Sequence, residues 1–177
     1  LWDGIDAYDY YTREDFAVKN TVPTAEGALE IAMREYAGTI NGSNCLVAGY
    51  GRIGKVLAWM LRGIGAKVTV SARRTSDLAW IELFGYQAIK TDDICDRDQY
   101  DLIFNTIPAM VFNRRMLSKA REGTILIDLA SAPGGVDYEA ADKLGIRTIK
   151  ALSLPGRVAP KAAGEIIKNT IYNIMEE

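Results

Sequence analysis

The segment Cys45-Leu46-Val47-Ala48-Gly49-Tyr50-Gly51-Arg52-Ile53-Gly54 decides the fold of this chain. Four apolar residues that can form a buried strand lead into three glycines spaced G-x-G-x-x-G. An amphipathic helix is predicted directly afterwards, from about Arg52 to Ile64. A strand, a glycine turn and a helix in this order are typical of a dinucleotide-binding unit. The alternative is a plain glycine turn that binds nothing.

Each glycine of this turn has a predicted role. Gly49 permits the tight turn, Gly51 lets the backbone approach a pyrophosphate, and Gly54 lets the helix lie close to the strand. The N-terminus of the helix offers free N–H groups to phosphates. We therefore predict that the cofactor is held by the six residues Gly49, Tyr50, Gly51, Arg52, Ile53 and Gly54.

Short apolar runs alternate with amphipathic helices along most of the chain. Further strands are predicted at 67–71, 86–89, 101–104, 124–129 and 147–151, and helices at 25–36, 75–84, 113–120, 137–144 and 160–175. Thr24 is the predicted N-cap of the helix at 25–36, since Pro23 is expected to prevent an earlier start. This alternation predicts an α/β fold: a Rossmann-type, doubly wound parallel sheet with strand order 3-2-1-4-5-6.

Residues 21–177 are predicted to form this dinucleotide-binding domain. Residues 1–20 are rich in aromatic and acidic side chains but show no sustained period. The chain also begins with Leu1 rather than Met. We therefore interpret residues 1–20 as a linker or edge segment that belongs with a missing N-terminal domain.

Composition excludes several classes of function. The 177-residue chain has a net charge of −2 and no long basic run, which argues against nucleic acid as a partner. No apolar run is long enough for a membrane helix, and no secretory signal is visible. Cys45 and Cys95 form no metal pattern and are typical of a reducing compartment. We therefore predict a cytoplasmic protein without a metal site.

The chain contains no histidine, the commonest acid–base residue of enzymes. Any proton transfer must therefore use another side chain, water or a partner. The sequence identifies no catalytic residue.

The end of the second predicted strand bears on the choice of cofactor. Ser71 follows Gly49 by 22 residues, where an acidic residue would bind the ribose 2′-hydroxyl of NAD. Here Ser71, Arg73 and Arg74 can instead bind a 2′-phosphate through a hydroxyl and two guanidinium groups. This pattern favours NADP as the cofactor. The alternative is a solvated pair of surface arginines.

The loop after the fourth predicted strand reads Asn105-Thr106-Ile107-Pro108. It leaves the carboxyl edge of the sheet, where the nicotinamide is expected. We expect Asn105 and Thr106 to bind the carboxamide or the substrate, and Pro108 to fix the course of the loop. The alternative is a rigid turn that contacts no ligand.

Five motifs occur in the same order as in the A subunits of bacterial dipicolinate synthase, in their C-terminal nucleotide-binding half. They extend over about residues 20 to 170, and the chain resembles this family. The motifs are Val22-Pro23-Thr24-Ala25-Glu26-Gly27-Ala28, the glycine turn, Asn105-Thr106-Ile107-Pro108-Ala109, Asp128-Leu129-Ala130-Ser131 with Pro133-Gly134-Gly135, and Leu154-Pro155-Gly156 with Ala159-Pro160-Lys161.

The resemblance implies an NADP-dependent oxidoreductase of spore formation. Such an enzyme oxidises a dihydrodipicolinate-type intermediate to dipicolinate (pyridine-2,6-dicarboxylate). The resemblance also implies a partner, the B subunit, which is similar to flavin-dependent decarboxylases. Because the substrate is a dicarboxylate, cations are expected near it. We take Arg157 and Lys161 as candidates, together with Ser131 in the loop after the fifth strand; each is otherwise a surface or turn residue.

Two other interpretations remain open. The chain could be a non-catalytic regulatory or scaffold module that binds a nucleotide. It could also be the cofactor domain of an enzyme like the 2-hydroxyacid dehydrogenases or adenosylhomocysteine hydrolases. The hydroxyacid enzymes depend on a histidine, which this chain lacks. A homo-oligomer is compatible with the sequence.

Overall fold

A computed structural model describes residues 7–96 and 100–177 of the chain. The described residues contain one parallel sheet whose strand order is β3-β2-β1-β4-β5-β6. This result confirms the predicted Rossmann-type fold and its strand order. The strands are β1 (Asn44–Ala48), β2 (Lys67–Ala72), β3 (Gln87–Lys90), β4 (Leu102–Asn105), β5 (Ile125–Asp128) and β6 (Arg147–Lys150).

Eight α-helices accompany these strands in the described part of the chain. They are α1 (Glu14–Lys19), α2 (Thr21–Glu35), α3 (Arg52–Gly63), α4 (Thr75–Leu83), α5 (Arg114–Leu117), α6 (Tyr138–Lys143), α7 (Leu154–Val158) and α8 (Pro160–Glu176). Short 3₁₀ helices lie at Tyr10–Thr12 and Thr91–Asp96. The six predicted helices are all present, whereas α1 and α7 were not predicted. No helix among the described residues is both long and apolar enough to cross a bilayer.

Side chains from the strands point alternately into two apolar cores. Cys45 and Val47 of β1 join the core that includes Leu57 of α3, whereas Leu46 and Ala48 join the core that includes Leu117 of α5. This alternation is the period of two expected of an extended strand. The sheet is therefore covered on both faces, as a parallel sheet requires.

The predicted start of the helix at 25–36, which is α2 in the structure, was wrong. Helix α2 begins at Thr21, and Pro23 lies inside its first turn. Proline is tolerated there because the first N–H groups of a helix have no intrahelical partner. Thr24 is therefore not an N-cap, and its hydroxyl donates to the carbonyl oxygen of Asn20 at 2.7 Å.

The described part of the N-terminal segment packs against the last helix. Arg13 donates to the carboxylate of Glu177, the residue after α8, at 2.6 and 2.7 Å. Asn173 donates to Asp15 at 3.2 Å, and Phe16 is buried.

Helix α8 contacts α1 and α7, and its apolar face is only partly covered. Ile171 on this helix, for example, is 40% exposed. The assignment of residues 1–20 to a missing domain stays a prediction.

We expect Leu46→Ala to lower the free energy of unfolding by about 2–5 kcal/mol, because it leaves a cavity in a fully buried site. Leu83→Ala is the matched control: Leu83 is 73% exposed, and its truncation should change stability by less than about 0.5 kcal/mol. Urea denaturation followed by circular dichroism measures both. Equal losses in the two variants would contradict the assignment of Leu46 to the core.

Candidate dinucleotide-binding site

Two glycines of the turn after β1 are required by the fold itself. Gly49 has a positive φ of 102°, and a Cβ atom there would lie 2.5 Å from Thr106 Oγ1. A Cβ atom on Gly54 would lie 2.1 Å from the carbonyl oxygen of Gly49. Real atoms do not approach so closely, so the first turn of α3 can lie against the end of β1 only without these side chains.

Gly51 differs from the other two glycines. Its φ of −82° suits any residue, and a Cβ atom there would meet no atom of the described residues within 4 Å. The fold therefore leaves open space above this backbone. Gly51 is also the N-cap of α3, and no side chain in the described part of the chain caps the helix. Open space beside uncapped N–H groups is compatible with a pyrophosphate at this position, and the predicted contact stays a prediction.

A cleft of about 570 Å³ lies beside this turn. The carboxyl ends of the first four strands in sequence converge on it, from β1 to β4. Its lining residues are Gly49, Tyr50, Gly51, Ala72, Arg73, Arg74, Asp77, Thr91, Thr106, Ile107 and Pro108. Seven of the predicted cofactor-binding residues are therefore brought together: Gly49, Tyr50, Gly51, Arg73, Arg74, Thr106 and Pro108.

Five predicted residues do not line the cleft: Arg52, Ile53, Gly54, Ser71 and Asn105. The Arg52 side chain forms an ion pair with Glu14 of α1. Ile53 packs against the core, and Gly54 acts through its contact with Gly49. All three residues lie in the first turn of α3. The side chains of Arg52 and Ile53 contact the protein rather than the cleft, so any contact of this turn with a ligand would come from its backbone N–H groups.

Ser71 was expected to donate to a 2′-phosphate, and the structure argues against this role. Ser71 is fully buried within β2. Its hydroxyl oxygen accepts from Thr91 Oγ1 at 3.4 Å, and its carbonyl oxygen accepts from the backbone N–H of Gly49 at 3.1 Å. Strand β2 ends at Ala72, one residue later than predicted, so the first side chain beyond the strand is Arg73.

The two arginines have different surroundings. Arg74 is 82% exposed, and its Nε donates to Asp77 at 3.2 Å. Among the described residues, Arg73 forms no ion pair, and it lines the cleft as well as a neighbouring cleft of about 430 Å³. Arg115 lines that second cleft. Neither Asp77 nor Arg115 was predicted from the sequence as a cleft residue, although Asp77 is an acidic residue in the first turn of α4, the helix that follows β2.

The side chains of Thr106 and Asn105 both donate hydrogen bonds to other groups of the protein. The Thr106 hydroxyl and backbone N–H donate to the Ala48 carbonyl oxygen, at 2.8 and 2.9 Å. The fully buried Asn105 amide donates to Asp128 Oδ1 at 2.8 Å and to the Ile107 carbonyl oxygen at 3.2 Å. The Asn105 side chain is therefore occupied by internal partners rather than turned toward a ligand.

Buried Asp128 and half-buried Tyr138 form a pair that was not predicted from the sequence. The Tyr138 hydroxyl donates to Asp128 Oδ2 at 2.6 Å. Burial and the neighbouring carboxylate raise the pKa of Tyr138 well above its ordinary value, so its hydroxyl remains a hydrogen-bond donor to Asp128 to higher pH than a solvated tyrosine would. The sequence feature that could have indicated this pair is Asp128, an acidic residue at the end of the apolar strand β5.

The predicted substrate-binding residues lie outside the cleft. Ser131 is exposed in the loop after β5, and its carbonyl oxygen accepts from the backbone N–H of Gly134 at 2.9 Å. Arg157 and Lys161 are exposed on α7 and in the first turn of α8. In the described part of the chain, neither side chain has an ion-pair partner. All three are on segments that follow β5 and β6.

The described residues contain no cluster of acidic, cysteine or histidine side chains suited to a metal ion.

Comparison with protein families assigns the domain type. Residues 17–144 match the family described as D-isomer specific 2-hydroxyacid dehydrogenase, NAD binding domain. The matched region contains the glycine turn, the ends of β2 and β4 and the loop after β5. A nicotinamide dinucleotide is therefore the cofactor class of this domain.

Known proteins share both sequence and structure with the chain. It is 39% identical over 168 residues to the dipicolinate synthase A subunit of Bacillus subtilis (strain 168), covering 94% of this chain and 57% of that protein. The crystal structure of dipicolinate synthase from Bacillus subtilis, in its A subunit, superposes with a TM-score of 0.90 over 94% of this chain and 56% of the other. The crystal structure of the A subunit from Bacillus halodurans gives 0.91 at 39% identity, with coverage of 94% and 58%.

A more distant structure shares the fold alone. The transhydrogenase of Sinorhizobium meliloti is 18% identical, with a TM-score of 0.77 and coverage of 92% and 55% of the two chains. The closer matches confirm the resemblance seen in the motifs. The chain spans somewhat more than half the length of the relatives it matches.

Gly51→Ala and Gly54→Ala should separate binding from folding. In Gly51→Ala the new methyl group enters the space above the turn, so we expect dinucleotide affinity to fall about 10- to 100-fold with little change in thermal stability. In Gly54→Ala the clash with Gly49 should lower the free energy of unfolding by about 1–3 kcal/mol or more. Isothermal titration and thermal unfolding measure the two effects. Unchanged affinity in Gly51→Ala would refute the placement of the pyrophosphate.

Proposed function

The chain belongs to the family of D-isomer specific 2-hydroxyacid dehydrogenase NAD-binding domains, and on that premise we propose that it is the cofactor-binding part of a dipicolinate synthase A-type oxidoreductase. The observation that carries the proposal is a cleft that joins an open glycine turn to Arg73, which has no ion pair within the described residues. The 39% identity to the Bacillus subtilis protein supports the same assignment.

The proposed cofactor is NADP rather than NAD. Arg73 is the first side chain beyond the buried end of β2, where the adenosine ribose is expected. A guanidinium group without an ion pair can form charge-assisted hydrogen bonds to a 2′-phosphate. Asp77 also lines the cleft, but it accepts a hydrogen bond from Arg74, which offsets its charge. Arg73 is therefore the main proposed determinant, and Arg74 a weaker one.

The proposed reaction converts a dihydrodipicolinate-type intermediate to dipicolinate. Forming the aromatic ring requires the loss of a hydride and a proton. A bound nicotinamide dinucleotide supplies the hydride acceptor. The chain's own task is to hold the phosphates at Gly51 and the N-terminus of α3, and the adenosine at Arg73. Ser131, Arg157 and Lys161 are proposed to bind the substrate carboxylates, since they are on the segments beyond the ends of β5 and β6.

The proposal includes the wider context of the enzyme. We propose that the chain acts in the cytoplasm during spore formation, together with a B subunit. Because the chain spans 57% of the Bacillus subtilis relative, we also propose that an N-terminal domain completes the active site. Residues 1–20 would connect that domain to residues 21–177.

Arg73→Ala should weaken NADP⁺ binding about 10- to 100-fold and leave NAD⁺ binding nearly unchanged, because a charge-assisted bond to the 2′-phosphate is lost. Arg74→Ala should have a smaller effect, and Ser71→Ala none that is selective for NADP⁺. Isothermal titration with both cofactors measures the ratio of affinities.

Lys67→Ala is the matched control for Arg73→Ala, since it removes one exposed positive charge at the opposite end of β2. It should not change the ratio. Equal affinity of the parent protein for NADP⁺ and NAD⁺ would contradict the assignment of NADP.

The reaction itself can be tested by mixing the chain with a B subunit, NADP⁺ and a dihydrodipicolinate substrate. We expect the absorbance of the reduced nicotinamide to rise, and to rise faster when the chain is joined to its N-terminal domain. Tight cofactor binding without turnover in any combination would support a scaffold role and refute the proposed activity.

A further inference from the structure

The strongest polar cluster outside the cleft lies where β4 and β5 end. Asn105 and Asp128 are the last residues of these neighbouring strands and are paired across them. Asp128 is 1% exposed, yet all of its described partners are uncharged. Its Oδ1 accepts from Asn105 Nδ2 at 2.8 Å and from the Ala130 N–H at 3.2 Å, and its Oδ2 accepts from the Tyr138 hydroxyl. A buried carboxylate is costly, so this arrangement calls for a reason beyond packing.

A carboxylate determines which way the Asn105 amide faces. Asp128 can only accept hydrogen bonds, so the NH₂ group of Asn105 must point toward it. The amide oxygen of Asn105 then faces the other way and accepts from the Ile107 N–H at 3.1 Å. The same NH₂ group also donates to the Ile107 carbonyl oxygen. Asp128 thus holds both backbone groups of Ile107 through one side chain.

The turn held in this way forms a wall of the cleft. Thr106, Ile107 and Pro108 line the cleft together with Arg73. Ile107 Cγ1 also lies 2.9 Å from the position that a Cβ atom of Gly49 would take. A displacement of this turn would therefore change the width of the cleft beside the glycine turn.

The loop after β5 supports the same turn from a second side. A Cβ atom on Gly135 would lie 2.4 Å from Asn105 Nδ2 and 2.5 Å from the Ile107 carbonyl oxygen. The Gly135 carbonyl oxygen accepts from the backbone N–H groups of Val111 and Phe112, at 3.1 and 2.9 Å. The two loops are thus closely joined, and Tyr138 connects them to α6.

We propose that Asp128 is a positioning residue for cofactor binding, which orients Asn105 and thereby holds the turn at Thr106–Pro108 as one wall of the cleft. Tyr138 fixes the carboxylate from α6. This role rests on the proposed function, because the cleft is assigned there to a nicotinamide dinucleotide. It adds a residue that does not itself touch the cofactor but sets the shape of its site.

The test compares Asp128→Ala with Asp128→Asn and Thr124→Val in the full chain. Thr124 is a buried residue just before β5, at the opposite end of that strand, and its hydroxyl donates to the Tyr100 carbonyl oxygen at 2.7 Å. Thr124→Val therefore removes a buried hydrogen bond at the end of β5 that lies away from the cleft. Affinity for NADPH and NADH is measured by fluorescence titration at a temperature where circular dichroism shows each variant folded.

We expect Asp128→Ala to weaken binding of the preferred cofactor about tenfold or more, and Thr124→Val to leave it within about twofold even at a similar loss of stability. Asp128→Asn should retain most of the affinity. Its amide oxygen can still accept from Asn105 and Ala130, and its NH₂ group can donate to the Tyr138 oxygen.

If Asp128→Ala does not fold, a second set of variants tests the positioning role of Asp128. Combining Asp128→Asn with Tyr138→Phe leaves the new NH₂ group without an acceptor, so the amide can turn over and release Asn105. We expect the double variant to lose more affinity than the product of the two single losses. Losses that simply multiply would overturn the proposal.

Two further outcomes are decisive. If the parent binds neither NADPH nor NADH, the proposed function and this inference both fail. If the parent binds a cofactor but Asp128→Ala and Thr124→Val weaken it equally, the proposed function stands and the positioning role of Asp128 is refuted.

Discussion

The close contact between α3 and the end of β1 is the constraint on which the rest of the structure depends. Gly54 lies so near the Gly49 carbonyl oxygen that no side chain fits between them. This approach aims the uncapped N-terminus of a 12-residue helix at the edge of the sheet where β1 ends. Backbone N–H groups at the start of the helix therefore face the open space over Gly51, and the cleft is built around them.

In the proposed assignment, the charge of Arg73 distinguishes NADP from NAD at the other end of the cleft. Arg74 and Asp77 largely satisfy each other, so the net positive charge that a phosphate would meet comes from Arg73. The buried end of β2 explains why Ser71 does not contribute: its hydroxyl is held by Thr91 inside the fold. Strand β2 ends at Ala72, one residue later than predicted, and Ser71 is enclosed within it. Of the phosphate ligands expected from the sequence, the proposal therefore keeps the guanidinium groups, which bind phosphate more strongly than a hydroxyl does.

The loops after β4 and β5 act together, although they are far apart in sequence. Asp128 orients Asn105, and Gly135 lies directly against the same turn. The cleft wall is therefore supported by Asp128 and Gly135, two residues that do not themselves line the cleft. Such support lowers the cost of ordering the site when a ligand binds.

The sequence alone predicted the strand order, six of the eight described α-helices, the glycine turn and the class of ligand, because these follow from local periodicity and from the backbone freedom of glycine. Even so, the start of α2 at Thr21 was missed, since a proline in the first turn breaks no hydrogen bond. Only the tertiary structure decided which polar side chains face the cleft. Ser71 and Asn105 stand at the right places in the chain, but their hydrogen-bond partners, Thr91 and Asp128, come from strands and segments about twenty residues away. Side-chain direction and hydrogen-bond pairing depend on neighbours brought together by folding, and a linear pattern does not contain them.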